Sequence, residues 1–434
     1  MSKVCFFSYP AYGHINMTLG LVKKLVERGE EVLYYTGQNF KKTIESTGAA
    51  FRRYIIEKDG YTIETYIDDI LRKFESINKK QPSKLSCGFE TYLASGVELF
   101  NFNILIEKSM VNEIIHENPD YIIHDSCVSA GKKLAKMLHI PAITSVSNFI
   151  FKEKMLDIDL SVFCRNILRT VDTTPDMKDK YRLTIRYINM MARKVKEVYH
   201  LETPVDFLDL FASEEELNLV YTSEYFQPYR AVFCNNYKFV GPIIDSAGDN
   251  SDFPYKGTSN RPLIYISLGT LFNNCTAFYR KCIEAFKSEN VQVIMSAGNT
   301  IRMEELGSIP DNIIIKPYVP QLQVLRHAQL FITHGGTNSI NEALYFCIPL
   351  LVIPHAVMEH FFMAEQVEKL NAGIYVKSLD VTAVELRKYA NRILSDNSYR
   401  QNIKLIANSF KESGGSSKAV EEIFSFKKLK DIIK

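Results

Sequence analysis

Two rhythms of apolar and polar positions alternate along the chain. Short runs rich in β-branched and aromatic residues, such as "VCFF" at 4–7 and "LFITHGG" at 330–336, give way to longer stretches with apolar positions three or four apart. In the first half, strands are expected near 3–8, 31–36, 51–55, 120–125 and 141–146, and helices over 15–28, 38–47 and 128–138. Leu19, Val22, Leu25 and Val26 keep the spacing of one buried helical face. The second half restarts the pattern, with strand-like runs at 262–269, 291–298, 312–319, 330–336, 349–354 and 373–376. Strands alternating with helices specify parallel sheets covered by helices. The expected class is therefore α/β, with two Rossmann-like doubly wound domains facing a central cleft.

Between the halves runs "VGPIIDSAGDNSDFPYKGTSNRP", dense in Gly, Pro, Ser, Asp and Asn, which is linker composition. The boundaries that follow are an N-terminal domain over 1–240, a linker over 241–261 and a second domain over 262–415. Residues 416–434 form a C-terminal helix that can pack back on the first domain. Two domains also suit 434 residues, which exceed a comfortable single core. Residues 60–115 and 150–215 read as mostly helical insertions rich in Tyr, Phe, Met and Ile, and such insertions tend to carry binding surfaces.

Charge narrows the possibilities. Lys and Arg number 52 and Asp and Glu 50, a net of +2, so there is no basic stripe to argue for nucleic acid. The terminal "KKLKDIIK" reads as a solvated helix end. No secretory pattern is visible and no run reaches the ~18 apolar residues of a membrane span. The eight cysteines are scattered, without Cys-x-x-Cys or zinc spacing, so reduced thiols in a cytoplasmic protein are expected. Neither a Gly-x-Gly-x-x-Gly fingerprint nor a Walker loop is present. "DID" at 157–159 has a spacing that can hold a divalent metal, but it lies in an insertion and reads as a solvated loop. No metal is expected.

Two turns carry candidate chemistry. His14, in "GHIN", stands between a strand and a helix; it either closes a turn or presents an imidazole to a cleft. In "FITHGGTNSINEAL" two glycines permit close backbone approach, and Thr337, Asn338 and Ser339 open a helix whose unpaired N–H groups suit a phosphate. The competing reading is a strand–helix turn with Ser339 and Glu342 as a capping pair. "SLGT" at 267–270 adds Ser267 and Thr270 at another strand end. Ligands bind beyond the carboxyl ends of strands in open α/β sheets, so His14 and His334 are expected to face one cavity.

The stretch "PYVPQLQVLRHAQLFITHGGTNSINEALYFCIPLLVIPHAVMEH" (317–360) resembles the donor-binding signature of the UDP-glycosyltransferase superfamily, glycosyltransferase family 1. It looks closest to bacterial macrolide and antibiotic glycosyltransferases. "GHIN", "HD" at 124–125 and "SLGT" fall in that family's order, and the likeness in pattern extends over nearly the whole chain. The resemblance implies the GT-B fold and inverting, metal-independent transfer. The donor would be a UDP-sugar, or a dTDP-sugar, held by the second domain as co-substrate with no other cofactor. His14 matches the family's general base and Asp125 the carboxylate orienting it; read alone, Asp125 is equally a helix N-cap before "SCVSAGKKLAKML". His124 should point the other way, since strand side chains alternate. His334, Gly336, Thr337, Asn338 and Ser339 match the diphosphate loop, and Ser267 and Thr270 a second phosphate loop. Glu342 matches the ribose contact, and Val319 and Gln321 stand where the base is met.

The chain also departs from the pattern. It has no tryptophan to stack on a base, and Tyr318 is nearest in sequence. In "MEH", Glu359 matches a residue that reads sugar hydroxyls, whereas His360 replaces the usual Gln; His355 likewise replaces a Gln common in bacterial members. An imidazole cannot offer an amide's donor–acceptor pair, which leaves the sugar open between the glucose of a UDP-glucose donor and another hexose. The apolar runs "FNFNILI" (100–106) and "NFIFKEKML" (148–156) suggest an acceptor that is a hydrophobic small molecule, macrolide, polyketide or flavonoid-like, glycosylated on a hydroxyl. The alternatives are a sugar-nucleotide epimerase of the same fold and a non-catalytic partner of another glycosyltransferase.

Overall fold

The computed structural model describes residues 2–56, 62–80, 86–150, 152–164, 174–198, 209–244, 261–270, 273–354 and 357–432. The chain divides into two compact units. The first comprises Met1–Thr222, Tyr229–Ala247 and Ser413–Lys434; the second comprises Ser223–Pro228 and Gly248–Glu412. Most of the 241–261 segment lies outside the described residues.

In the first unit, seven strands form one sheet: β1 Lys3–Phe7, β2 Glu31–Thr36, β3 Ala50–Arg53, β4 Tyr121–Asp125, β5 Ala142–Val146, β6 Asn218–Val220 and β7 Tyr237–Phe239. Their order is β3-β2-β1-β4-β5-β6-β7, every pair parallel. Consecutive side chains of β1 go to opposite faces, as a two-residue period demands. Val4 and Phe6 join Leu21, Val22 and Leu25 of the helix Leu19–Glu27. Cys5 and Phe7 join Phe102, Ile106 and Met110 of the helix Ser86–Glu117. A sheet buried on both faces reads as continuous apolar runs, which is why "VCFF" and "YIIHD" are so legible.

The C-terminal helix Gly415–Leu429 completes the first unit's core with Ala419, Val420, Ile423 and Phe426. It also carries a charge inside. Lys427 Nζ lies 2.6 Å from Glu30 Oε1, both side chains almost wholly buried, and Tyr121 donates its hydroxyl to Glu30 Oε2 at 2.8 Å. The Tyr121 ring lies under the same ammonium, 5.2 Å from its centroid.

The second unit holds a six-stranded sheet: β8 Leu263–Ser267, β9 Gln292–Ser296, β10 Ile313–Lys316, β11 Leu330–Thr333, β12 Leu350–Val352 and β13 Gly373–Tyr375. The order is β10-β9-β8-β11-β12-β13, again all parallel. Ile264, Ile266, Val293, Met295, Ile332 and Leu351 form one face of its core with Phe278, Cys282 and Phe286 from the helix Thr276–Phe286. No helix among the described residues is long and apolar enough to cross a membrane.

Candidate active site

Each sheet has one place where successive connections leave in opposite directions. In the first it is between β1 and β4, and in the second between β8 and β11. Crevices beyond the carboxyl ends of such strands are where open α/β sheets bind ligands. His14 follows β1 and Asp125 is the last residue of β4; Ser267 ends β8 and His334 follows β11. The candidate residues thus gather at the switch point of their own sheet.

After β1 the chain turns through Ser8–Ala11 into the short helix Tyr12–Ile15, which carries His14. Its Nδ1 lies 2.8 Å from Asp125 Oδ2, with His14 one-fifth exposed and Asp125 buried. Asp125 Oδ1 accepts the Cys127 N–H at 2.8 Å and the Ser147 hydroxyl at 2.9 Å. A carboxylate only accepts, so Nδ1 must carry the imidazole proton and Nε2 is the basic nitrogen of the neutral ring. The Tyr9 ring packs on His14 with centroids 5.1 Å apart, and Phe102 packs on Tyr9 at the same distance. Burial keeps the Tyr9 phenol well above its ordinary pKa, so it stays protonated and neutral beside the imidazole.

Asp125 does not cap the helix that follows: Ser129–Leu138 has Val128 at its N-cap with no side-chain cap. Its carboxylate instead braces the turn through Cys127. His124 faces away, buried, with Nε2 3.4 Å from Glu215 and Nδ1 near the Asp125 carbonyl. Gly131 allows the helix to lie on that strand, since a Cβ there would come within 2.5 Å of His124 Cβ.

His14, Asp125 and Cys127 bring an imidazole nitrogen, a carboxylate oxygen and a thiol within 4.8 Å of one another, a donor set that could hold a metal ion. Asp125 already accepts from three protein donors, however, the pattern of an orienting carboxylate. The two ends of "DID" have separate tasks. Asp157, in the helix Met155–Ile158, pairs with Lys178 and Arg182; Asp159 accepts the Ser161 N–H at 2.9 Å and the Tyr229 hydroxyl at 3.0 Å. The segment joins two short helices and its first two residues, Asp157 and Ile158, are exposed to solvent.

In the second unit His334 lies between two glycines. A Cβ on Gly269 would come within 2.6 Å of His334 Nε2, and one on Gly336 within 2.7 Å. The "SLGT" and "THGGTN" loops therefore converge on one imidazole. Gly335, at φ +100°, would strike the His360 carbonyl oxygen if it bore a Cβ, and the His360 ring stands edge-on to His334 with centroids 4.5 Å apart. Ser267 is buried and Thr270 exposed.

The helix Thr337–Tyr345 begins at Gly336 without a side-chain cap, so Ser339 and Glu342 are not a capping pair. Gln321 joins them instead: its Nε2 lies 2.7 Å from Glu342 Oε2 and 3.3 Å from Ser339 Oγ, while its Oε1 accepts from Tyr265 at 3.3 Å. Glu359 accepts both the N–H of Thr337, at 3.0 Å, and its hydroxyl. Val319 is buried beside the exposed Tyr318. Asn338 lies in the first turn of the same helix, partly buried, and His355 falls outside the described residues.

The two apolar runs expected to face an acceptor are largely interior. Phe102, Ile104 and Ile106 of the first, and Phe149, Ile150, Met155 and Leu156 of the second, are all buried. Phe102 and Ile106 pack with Cys5 and Phe7 of β1. Sequence reasoning also missed Ser147, whose Oγ lies 2.8 Å from His14 Nδ1 as well as against Asp125.

Residues 4–413 match the family model described as UDP-glucoronosyl and UDP-glucosyl transferase. The uncharacterized UDP-glucosyltransferase YojK of Bacillus subtilis is 33% identical over 430 residues, covering 99% of this chain and 98% of that one. The oleandomycin glycosyltransferase of Streptomyces antibioticus is 25% identical over 429 residues, covering 97% and 90%. The crystal structure of the calicheamicin glycosyltransferase CalG4 matches with a TM-score of 0.73 at 23% identity over 98% of both chains, and that likeness establishes the two-domain GT-B fold.

Proposed function

The chain belongs to the UDP-glucoronosyl and UDP-glucosyl transferase family and is a hexosyltransferase, and from that premise we propose an inverting O-glycosyltransferase with His14 as its general base. The observation that carries the reading is the His14–Asp125 pair at the β1/β4 switch point, with the proton fixed on Nδ1.

A neutral hydroxyl is a weak nucleophile. As its oxygen attacks the anomeric carbon, His14 Nε2 takes its proton, and the bond from that carbon to the nucleoside diphosphate breaks on the opposite face. Attack from behind the leaving group inverts the configuration. Asp125 stabilises the imidazolium that forms, as a buried carboxylate does for a catalytic histidine elsewhere.

Charge then accumulates on the departing diphosphate. The N–H groups opening the helix Thr337–Tyr345, with Asn338, Ser339, His334 and the Gly336 backbone, are suited to receive it, and Ser267 and Thr270 lie at and just beyond the end of β8, the strand paired with β11. With these donors present no metal is required of the mechanism. Gln321 and Glu342 form a braced polar pair for the nucleoside, Glu342 toward the ribose and Val319 toward the base. Glu359, anchored on Thr337 by one oxygen, and His360 are left to read the sugar. The donor is a UDP-sugar, with a dTDP-sugar as the variant.

The acceptor is a hydroxyl-bearing hydrophobic natural product, a class suggested by the name of the oleandomycin relative. Thermal unfolding tests the donor side. UDP or dTDP at about a hundred times its Kd should stabilise the fold by about 2.7 kcal/mol and raise Tm by several degrees. No rise with either nucleotide would contradict the assignment.

A further inference from the structure

Three neighbouring strands of the first sheet, in the order β1-β4-β5, each deliver one polar side chain to the same spot: His14 after β1, Asp125 at the end of β4, and Ser147 just after β5. Ser147 is buried, and its Oγ lies 2.8 Å from His14 Nδ1 and 2.9 Å from Asp125 Oδ1. We propose that Ser147 is the third member of the acid–base unit, a positioning residue that holds the Asp125 carboxylate and shares the charge of the His14 imidazolium. This rests on the reading of His14 as base.

Counting protons supports it. The serine hydroxyl has one hydrogen and two candidate acceptors, Nδ1 and Oδ1. If it went to Nδ1, that nitrogen would be bare, and its lone pair would face the Asp125 Oδ2 lone pairs 2.8 Å away. Given to Oδ1, it leaves Nδ1–H free to be shared between Oδ2 and the serine oxygen. Only this second arrangement satisfies every contact.

Its effect belongs to the transition state. When Nε2 gains a proton, Nδ1–H becomes a stronger donor, and two acceptors rather than one then receive it. The Cys127 N–H and the Ser147 hydroxyl both hold Oδ1, so the carboxylate cannot rotate away from the ring. None of these atoms belongs to the loops assigned above to the donor. The residue should therefore register in kcat and not in donor KM.

The test compares wild type, Ser147→Ala, Ser147→Thr and His14→Ala in steady-state transfer, with the His14 ring nitrogens followed by 15N NMR. Ser147→Ala is expected to lower kcat about tenfold, the loss of one hydrogen bond to a charged group, with donor KM unchanged. Its neutral His14 should keep Nδ1–H on Asp125, but the pKa of its imidazolium, read from the 15N shifts, should fall below the wild-type value because one of the two acceptors of Nδ1–H is gone. Ser147→Thr, which keeps the hydroxyl, should recover most of the rate. Wild-type kcat and an unaltered imidazolium pKa in Ser147→Ala would overturn the proposal, as would a slow variant with a lowered Tm and an unaltered imidazolium pKa. If instead His14→Ala transfers sugar normally, the base assignment itself fails.

Discussion

Gly269 has φ +82°, and the space its side chain would need is filled by the His334 imidazole. Gly269→Ala should therefore cost about 1–3 kcal/mol in backbone strain and push His334 out of place. The expected outcome is a lower Tm together with a raised donor KM. An unchanged KM would show that the His334 position is unimportant to the donor. At this scale the sequence was informative wherever a residue type is unusual in its context. His14 and His334, each beside glycine after a strand, stood out for that reason. Ser147 did not, because serine at a strand end is ordinary. Its meaning comes only from β4 and β5 lying in register, with Asp125 opposite Ser145.

Among elements, strands inside an apolar run were legible whatever their length, the three-residue β12 and β13 included. β6 and β7 have three residues each, in polar surroundings, and leave too brief an alternation to be read. The apolar runs at 100–106 and 148–156 are mostly buried, and composition shows that they are apolar without showing what covers them. The C-terminal helix makes a more unusual contact. Lys427 is buried against Glu30, and removing one partner leaves an uncompensated charge, a loss of about 3–5 kcal/mol in comparable cases. Lys427→Ala should accordingly lower the unfolding midpoint in urea sharply, whereas Lys427→Met with Glu30→Gln, which removes both charges, should recover much of it. Equal midpoints for the two variants would mean that the ion pair is not what fastens this helix.

Across the whole molecule, one arrangement occurs twice. Each unit has a parallel sheet, each sheet a switch point, and each switch point a histidine beyond a strand end. The alternation of strands and helices made that architecture readable, and the motif at 317–360 made the family readable. The hydrogen bonds that fix the imidazole proton could not be read, since they join residues 111 and 133 positions apart. The direct measurement is transfer by His14→Ala alongside its affinity for UDP and dTDP. With the base removed and the nucleotide site intact, the rate should fall by about 10²–10⁴-fold while diphosphate affinity stays within about twofold. Transfer at close to the wild-type rate would show that another group takes the acceptor's proton.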